Sequence, residues 1–332
     1  MKKIRLGIIG TGIIVNEAHA PALKRLTDRF EVTALCNRSR AKAESLARDL
    51  GVNDKNIWQD WQEFLTDAPV DAVLLALPIE LNYPVSRAAA AAGKHVLCEK
   101  PVGQNMDEAR GAVGLPAEFG VTFMVAEDIE FVPQFAKAAE LVADGEIGKP
   151  TLIQWNVFNF MAMSNKYAQT RWRTEHVFPG GYVMDGGVHF VHVLQMLAGP
   201  IESVKAETRT LDPRLGKVDS AFALLTHGSG ILSSLNMSWQ TQMPQPTPLL
   251  VFGEKASLSV SEEKILRTDN ESGDVREIAF EREDDYYLQF IEFHEAVTGN
   301  RPPSVSTESC AHDVEVILAI LEAARRGESV SL

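Results

Sequence analysis

The chain is 332 residues long and carries 32 Lys and Arg against 45 Asp and Glu, a formal charge of −13. The length favours two domains over one, and 45% hydrophobic with 8% aromatic residues is an ordinary globular composition. So acidic a balance argues against a nucleic-acid backbone or an anionic membrane as the main partner, because both need clustered Lys and Arg.

In chain order, Met1-Lys-Lys-Ile-Arg5, an apolar stretch to Val15 and Ala18-His-Ala20 superficially resemble a secretory leader. Two glycines interrupt that stretch, and cleavage there would remove a nucleotide-binding turn, so a cytoplasmic protein is expected. Ile4–Ile9 reads as a strand that stops at Gly10. Glu31–Cys36 is a second strand, and Ser39 caps a helix whose apolar face is Ala43, Leu46, Ala47 and Leu50, ended by Gly51. Asp60-Trp-Gln-Glu63 has capping-box spacing for a short helix. Val70–Leu77 is a continuous apolar run of the kind buried on both faces, followed by a helix that Gly93 ends. His95–Cys98 is the next strand, Asn105-Met-Asp-Glu108 opens another helix, and Val121–Val125 is read as the sixth strand, five of them placed by residue number.

Beyond Ala126 the pattern changes. Pro133–Ala143 reads as helix, Thr151–Phe160 as extended, Met161–Val177 as a loop, and about Tyr182 to Leu197 as helix. Ile201–Phe280 alternates as strands, and helices over Tyr286–Val297 and Glu308–Arg326 close the chain. The expected architecture is α/β plus α+β. A dinucleotide-binding domain over 1–125 precedes a substrate domain over 126–332. Cys36, Cys98 and Cys310 are sparse and fit no metal-ligand spacing, which suits a reducing compartment. No apolar run reaches the roughly 18–20 residues of a membrane helix.

Three stretches carry chemistry. In Gly10-Thr-Gly12-Ile-Ile-Val15, Gly10 permits a tight turn and Gly12 lets a pyrophosphate approach backbone N–H groups at a helix N-terminus. Thr11, Ile13 and Ile14 complete the turn, and Leu77, Pro78 and Glu99 join the expected cofactor contacts. Val15 stands where a third glycine is usual. The second strand then ends in Cys36-Asn37-Arg38-Ser39-Arg40-Ala41-Lys42, with no carboxylate to accept a ribose 2′-hydroxyl. Arg38 and Ser39, with Arg40 or Lys42, suit a 2′-phosphate, so NADP(H) is favoured. In the other reading, Asn37 bonds the ribose of NAD(H).

The second stretch is Gly93-Lys-His-Val-Leu-Cys-Glu99-Lys100-Pro101. Lys100 lies at the carboxyl end of a parallel strand, where its ammonium can polarise a substrate oxygen. The third is Gly180-Gly-Tyr-Val-Met-Asp185-Gly-Gly-Val-His189-Phe-Val-His192. Asp185, His189 and His192 share one helix face, and a carboxylate beside an imidazole makes a general acid–base near neutral pH. A zinc site is the competing reading, but no Glu or Cys motif completes it, and no metal is expected.

Together these stretches resemble the glucose-fructose oxidoreductase / inositol dehydrogenase (Gfo/Idh/MocA) family. His19-Ala-Pro-Ala-Leu23, Trp172-Arg173 and the ending Ala323-Ala-Arg-Arg-Gly-Glu-Ser-Val also look like family positions, so the likeness runs through essentially the whole chain. The resemblance implies a Rossmann domain, an open-faced and mostly antiparallel C-terminal sheet, and hydride transfer between nicotinamide and a hydroxyl-bearing carbon. By matching position Lys100 stands next to the nicotinamide and substrate, Asp185 is the supporting carboxylate and His189 the acid–base residue. Homodimers or homotetramers built through the C-terminal sheet are implied. Three positions depart from the family pattern: His192 where aspartate is frequent, Glu130 where arginine is common, and Asn82 where a histidine often stands.

The expected function is oxidation or reduction of a sugar, cyclitol or related polyol. Tyr182, Arg171, Arg173, Trp155, Asn156 and Asn159 are candidates to line the substrate side with Lys100, Asp185 and His189. Two other readings remain: a cofactor-sensing regulator without turnover, and transient oxidation that assists elimination or hydrolysis of a sugar.

Overall fold

Runs of Ile, Val and Leu without a polar break become strands buried on both faces, and in the first part of the chain such runs build one parallel sheet. The computed structural model describes residues 2–245 and 247–332. Strands β1 (Ile4–Ile9), β2 (Phe30–Cys36), β3 (Ile57–Trp58), β4 (Ala72–Leu75), β5 (His95–Glu99) and β6 (Phe123–Ala126) lie in the order β3-β2-β1-β4-β5-β6. Every pair is parallel. The order reverses between β1 and β4, the switch point at which such sheets bind ligands. β3 has only two residues, too few to show a period in sequence.

The intervening helices are α1 (Ala20–Arg25), entered through a π-helical turn over Val15–His19, α2 (Arg40–Leu50), α3 (Trp61–Asp67), α4 (Ile79–Ala91) and α5 (Met106–Phe119). Three caps are the ones the sequence signals, whereas α4 is capped by Ala92 one residue before Gly93. Asp60 accepts from the N–H groups of Gln62 and Glu63, Asn105 accepts from that of Glu108, and Gly51 ends α2 at φ +72°. Gly111 in α5 is required by packing, because a Cβ there would lie 2.3 Å from the Tyr83 hydroxyl of α4.

A nine-stranded sheet organises the second unit. β7 (Pro150–Phe158) runs parallel to β10 (Leu232–Ser238), and every other pair is antiparallel. The remaining strands are β8 (Ile201–Arg209), β9 (Ser220–His227), β11 (Leu249–Gly253), β12 (Ala256–Val260), β13 (Ile265–Asp269), β14 (Val275–Ile278) and β15 (Val330–Ser331). Their order is β14-β13-β12-β11-β7-β10-β9-β8-β15. Helices α6 (Pro133–Ala143) and α8 (Gly181–Ala198) cover the face to which Ile153, Trp155, Leu235 and Met237 point. The other face leaves Leu152, Phe222, Leu224 and Leu232 at least half exposed. The segment expected as loop contains one helical turn, α7 (Arg171–Thr174).

A single cut near Ala126 does not capture the division of the chain. The first unit holds Met1–Asp128 and also Asp284–Ala311, while Ile129–Glu283 and His312–Leu332 form the second. Helix α9 (Asp285–Gly299) returns to the first unit, where Phe290 and Phe293, both fully buried, pack on Phe30 with ring centroids 5.5 and 6.5 Å apart. Helix α10 (Thr307–Arg326) carries the chain back to the second unit.

Candidate active site

The glycine turn after β1 is shaped for close approach. Gly10 has φ +94°, and a Cβ there would sit 2.1 Å from the Ala76 carbonyl oxygen and 3.3 Å from Leu77 Cδ2, so only glycine fits. A Cβ on Gly12 would meet nothing within 4 Å, which leaves bare backbone under open space. The Thr11 N–H donates to Asn37 Oδ1 at 3.3 Å, whereas its buried hydroxyl has no partner among the described residues. Asn16 Nδ2 ties the turn from below, donating to the carbonyls of Gly12 and Thr11 at 2.7 and 3.2 Å. Val15 is fully buried, and Ile13, Ile14, Leu77 and Pro78 are half-buried around the turn. An uncovered turn, an orphaned hydroxyl and a helix start fit the pyrophosphate of a dinucleotide.

At the end of β2 the structure divides the candidate residues. Asn37 is committed to the protein, because its Nδ2 donates to the Ser39 carbonyl while its Oδ1 holds the Thr11 N–H. Arg40 is committed too: its guanidinium reaches the carbonyls of Asp54 and Ile57 at 3.1 and 3.3 Å and Glu44 at 2.9 Å. That geometry removes Arg40 from the expected phosphate set. Arg38 is exposed and its side chain makes no bond among the described residues, and Ser39 caps α2 in position without using its hydroxyl. A guanidinium, a hydroxyl and a helix N-terminus therefore remain available together.

Lys100 is half-buried where β5 leaves the sheet, and both of its neighbours are anchored. Glu99 Oε1 lies 2.7 Å from Nε2 of His19, a side chain with no exposed surface that meets Tyr286 and Phe290 edge-on. Asn82, equally buried, donates through Nδ2 to the carbonyls of Glu99 and Pro101, each at 2.8 Å. Glu99 thus serves as an anchor rather than an exposed cofactor contact. Burial pushes the thiols of Cys36 and Cys98 up to about 12, which makes both inert at neutral pH.

In the second unit α8 carries Asp185, buried, and His189, half-buried, at i and i+4. The helix begins at Gly180, φ +84°, and Gly186 lies so close to Trp239 that a Cβ would come within 2.5 Å of the indole. Arg173 of α7 donates from Nε to Asp185 Oδ2 at 2.7 Å, with its guanidinium carbon 4.0 Å from the Trp172 ring centroid and 5.0 Å from that of Tyr167. Arg173 therefore holds Asp185, where the sequence assigned it to substrate. Tyr182 is buried with its hydroxyl unpartnered among the described residues, and burial pushes that hydroxyl up to about 12, so it stays protonated. His176, not singled out by the sequence, donates from Nδ1 to the Phe178 carbonyl and accepts the Lys217 N–H at Nε2, which fixes a neutral ring.

Two further candidates fall away from this cluster. Trp155 is buried between Phe135 and Phe190, with ring centroids 5.3 and 5.2 Å away, and belongs to the core. The Arg171 side chain is 87% exposed and pairs with Glu175. Asn156 accepts from Asn236 on the neighbouring strand, and Asn159 is exposed beyond the end of β7. The departures at 130 and 192 prove to be one feature: His192 Nε2 lies 3.1 Å from Glu130 Oε2, and its Nδ1 lies 2.7 Å from Asp313 Oδ2. Gln195 satisfies the second oxygen of Asp313 at 2.7 Å. With both ring nitrogens turned to carboxylates, His192 braces α8.

A doubly wound parallel sheet with a bare glycine turn at its switch point, followed by an antiparallel substrate-type domain, defines an NAD(P)-binding oxidoreductase. Residues 4–127 match the model of an oxidoreductase family with NAD-binding Rossmann fold, and residues 135–259 match the GFO/IDH/MocA C-terminal domain. The chain belongs to the Gfo/Idh/MocA family. It is 30% identical over 335 residues to D-xylose 1-dehydrogenase (NADP(+)) 2 of Haloferax volcanii, covering 98% of this chain and 99% of that protein. Over 318 residues it is 29% identical to myo-inositol 2-dehydrogenase of Thermotoga maritima, covering 92% and 91% of the two chains. The crystal structure of another Thermotoga maritima oxidoreductase superposes with a TM-score of 0.92 at 33% identity, covering 99% of this chain and 98% of that one.

Proposed function

We propose that the protein is an NADP(H)-preferring dehydrogenase or reductase acting on a CH–OH carbon of a sugar, cyclitol or related polyol. The observation that carries the cofactor choice is the end of β2. No carboxylate stands between Cys36 and Lys42, and Arg38 and the Ser39 hydroxyl are uncommitted at the start of α2. The similarity to a D-xylose dehydrogenase named for NADP(+) supports the same choice.

When bound, the nicotinamide supplies or accepts the hydride. In the reductive direction Lys100 polarises the carbonyl oxygen through its ammonium, and an imidazole nitrogen of His189 gives that oxygen its proton; oxidation reverses both. Asp185, held by Arg173 one helical turn from His189, is assigned as the supporting carboxylate. Tyr182, whose protonated hydroxyl is buried and without a partner among the described residues, is assigned to the same helix face behind the substrate. The first unit is assigned to the cofactor and the second to the substrate. The open sheet face bearing Leu152, Phe222, Leu224 and Leu232 is assigned to a homodimer or homotetramer interface. A cytoplasmic location agrees with three buried cysteines that form no disulfide among the described residues.

The test is a titration with NADPH and NADH followed by a polyol and keto-sugar screen with the tighter cofactor. Equal or tighter binding of NADH overturns the cofactor assignment. Normal turnover in Lys100→Ala or His189→Ala overturns the mechanism, and net consumption of cofactor with product excludes the elimination chemistry.

A further inference from the structure

We infer that Asn82 is a positioning residue that aims Lys100, and this rests on the role given to Lys100 above. The turn that presents Lys100 follows the last residue of β5, where the sheet's own hydrogen bonds end. Beyond that point the backbone needs another partner to keep one direction. Asn82 supplies it from α4, since a single amide nitrogen donates to the Glu99 and Pro101 carbonyls, the groups immediately before and after Lys100, at 2.8 Å each. Both hydrogens of that nitrogen are thereby used, and the side chain has no exposed surface through which to reach a ligand.

Two other contacts make the clamp rigid. The backbone carbonyl of Asn82 lies 3.9 Å from Cys98 Sγ, a thiol that also lies 3.4 Å from the Glu99 carbonyl, so α4 packs against the end of β5 here. On the far side of the turn, His19 holds the Glu99 side chain at 2.7 Å. Glu99 is thus gripped by its carboxylate and its carbonyl, Pro101 by its carbonyl, and the Cα of Lys100 has little room to move. A displacement of about 1 Å at a reacting group is enough to cost on the order of a hundredfold in rate, so a clamp on the base of the lysine is a kinetic device as well as a structural one. The hydrogen bonds of Asn82, His19 and Cys98 described above run to the Lys100 turn and its neighbours rather than to Gly10–Gly12, so the inference separates aim from cofactor binding.

The decisive variant is Asn82→Asp, equal in volume but with oxygen in place of the donating nitrogen, so that it faces two carbonyls without a hydrogen for both. Asn82→Ser, which keeps one short donor, and Asn82→His, which keeps a ring donor, provide folded alternatives should the aspartate disrupt the unit. The expected result is a fall in kcat of tenfold or more in Asn82→Asp, less than a threefold change in the dissociation constant for NADPH, and partial recovery in Asn82→His or Asn82→Ser.

A readout independent of turnover comes from reductive 13C-methylation of the cofactor-free protein. The Lys100 resonance, assigned by its loss in Lys100→Arg, should move toward the shift of a solvated lysine in Asn82→Asp while the other lysines keep theirs. An unmoved Lys100 resonance with unchanged kcat overturns the inference, and so does a loss of NADPH affinity that accounts for the whole loss of activity. If Lys100→Ala turns over normally, the mechanism fails while the resonance still reports whether Asn82 aims the lysine.

Discussion

The pair between Arg173 and Asp185 can be weighed by a double-mutant cycle. Both side chains are largely withdrawn from water, 16% and 12% exposed, and meet at 2.7 Å. Arg173→Met removes the guanidinium that meets the Asp185 carboxylate in that setting, which costs about 3 kcal/mol at the lower end of the range for breaking a buried pair. Loss of the guanidinium from the faces of Trp172 and Tyr167 adds about 1 kcal/mol. Asp185→Asn keeps an acceptor for the guanidinium and should cost about 2 kcal/mol. In the double variant neither charge of the pair remains, so the expected total is about 3 kcal/mol rather than the sum of roughly 6, a coupling of about 3 kcal/mol. Urea unfolding of the cofactor-free protein, followed by tryptophan fluorescence, reads all four corners of the cycle. Costs that add to within about 0.5 kcal/mol would falsify the pairing. A tenfold rise in substrate KM for Arg173→Met, without loss of stability, would instead restore the arginine to the substrate.

Arg38→Ala should weaken NADPH at least tenfold and leave NADH within about threefold, as measured by fluorescence titration of each, because only the 2′-phosphate needs that guanidinium. Loss of both affinities in equal measure would refute the assignment. Gly10→Ala should abolish binding of either cofactor and lower stability by about 2–4 kcal/mol, since its Cβ would collide with the Ala76 carbonyl at a φ of +94°; retained binding in a calorimetric titration would contradict it. Stability should fall as pH drops below about 6.5, because burial holds the affinities of His176 and His227 for a proton below that of the unfolded chain. For depressed groups the contribution is complete above the unfolded value and is lost as pH falls toward the folded one, by up to about 1.4 kcal/mol per pH unit for each ring. His227→Asn, which keeps a donor for the Gly199 carbonyl, should flatten the dependence of the urea midpoint on pH, and an unchanged slope would rule the ring out.

Elements that write themselves into a short window were legible in the sequence. β1, the Asp60 and Asn105 caps, Gly51 and the helix bearing Asp185 and His189 each depend on residues within a few positions of one another. What escaped depends on distant partners. Arg40 looked like a phosphate ligand, and of the groups that hold it only Glu44 is local, because the carbonyls of Asp54 and Ile57 lie 14 and 17 residues on. β3 is a two-residue strand made by its neighbour rather than by its own pattern. Trp155 alternates correctly along β7, but alternation does not say which face the helices cover. Glu130 and His192 stood as two unrelated departures until the fold brought positions 62 apart to within 3.1 Å. At these two departures the chain carries a His and a Glu that meet across the fold.

That exchange bears on the acidity of the whole chain. A net charge of −13 repels a polyphosphate only through its long-range field, which salt screens beyond roughly 8 Å at physiological ionic strength. Inside that distance, what counts is which cations are already spent. Arg5, Arg40, Arg87, Arg173 and Arg301 each have a carboxylate within 2.9 Å and contribute little to attracting a ligand. Arg38 has none among the described residues, and it stands one residue from an unused hydroxyl at a helix start. If the proposed NADP(H) preference holds, discrimination for a 2′-phosphate would rest on Arg38 and its setting, and an added surface lysine elsewhere would change the total charge without changing the choice of cofactor.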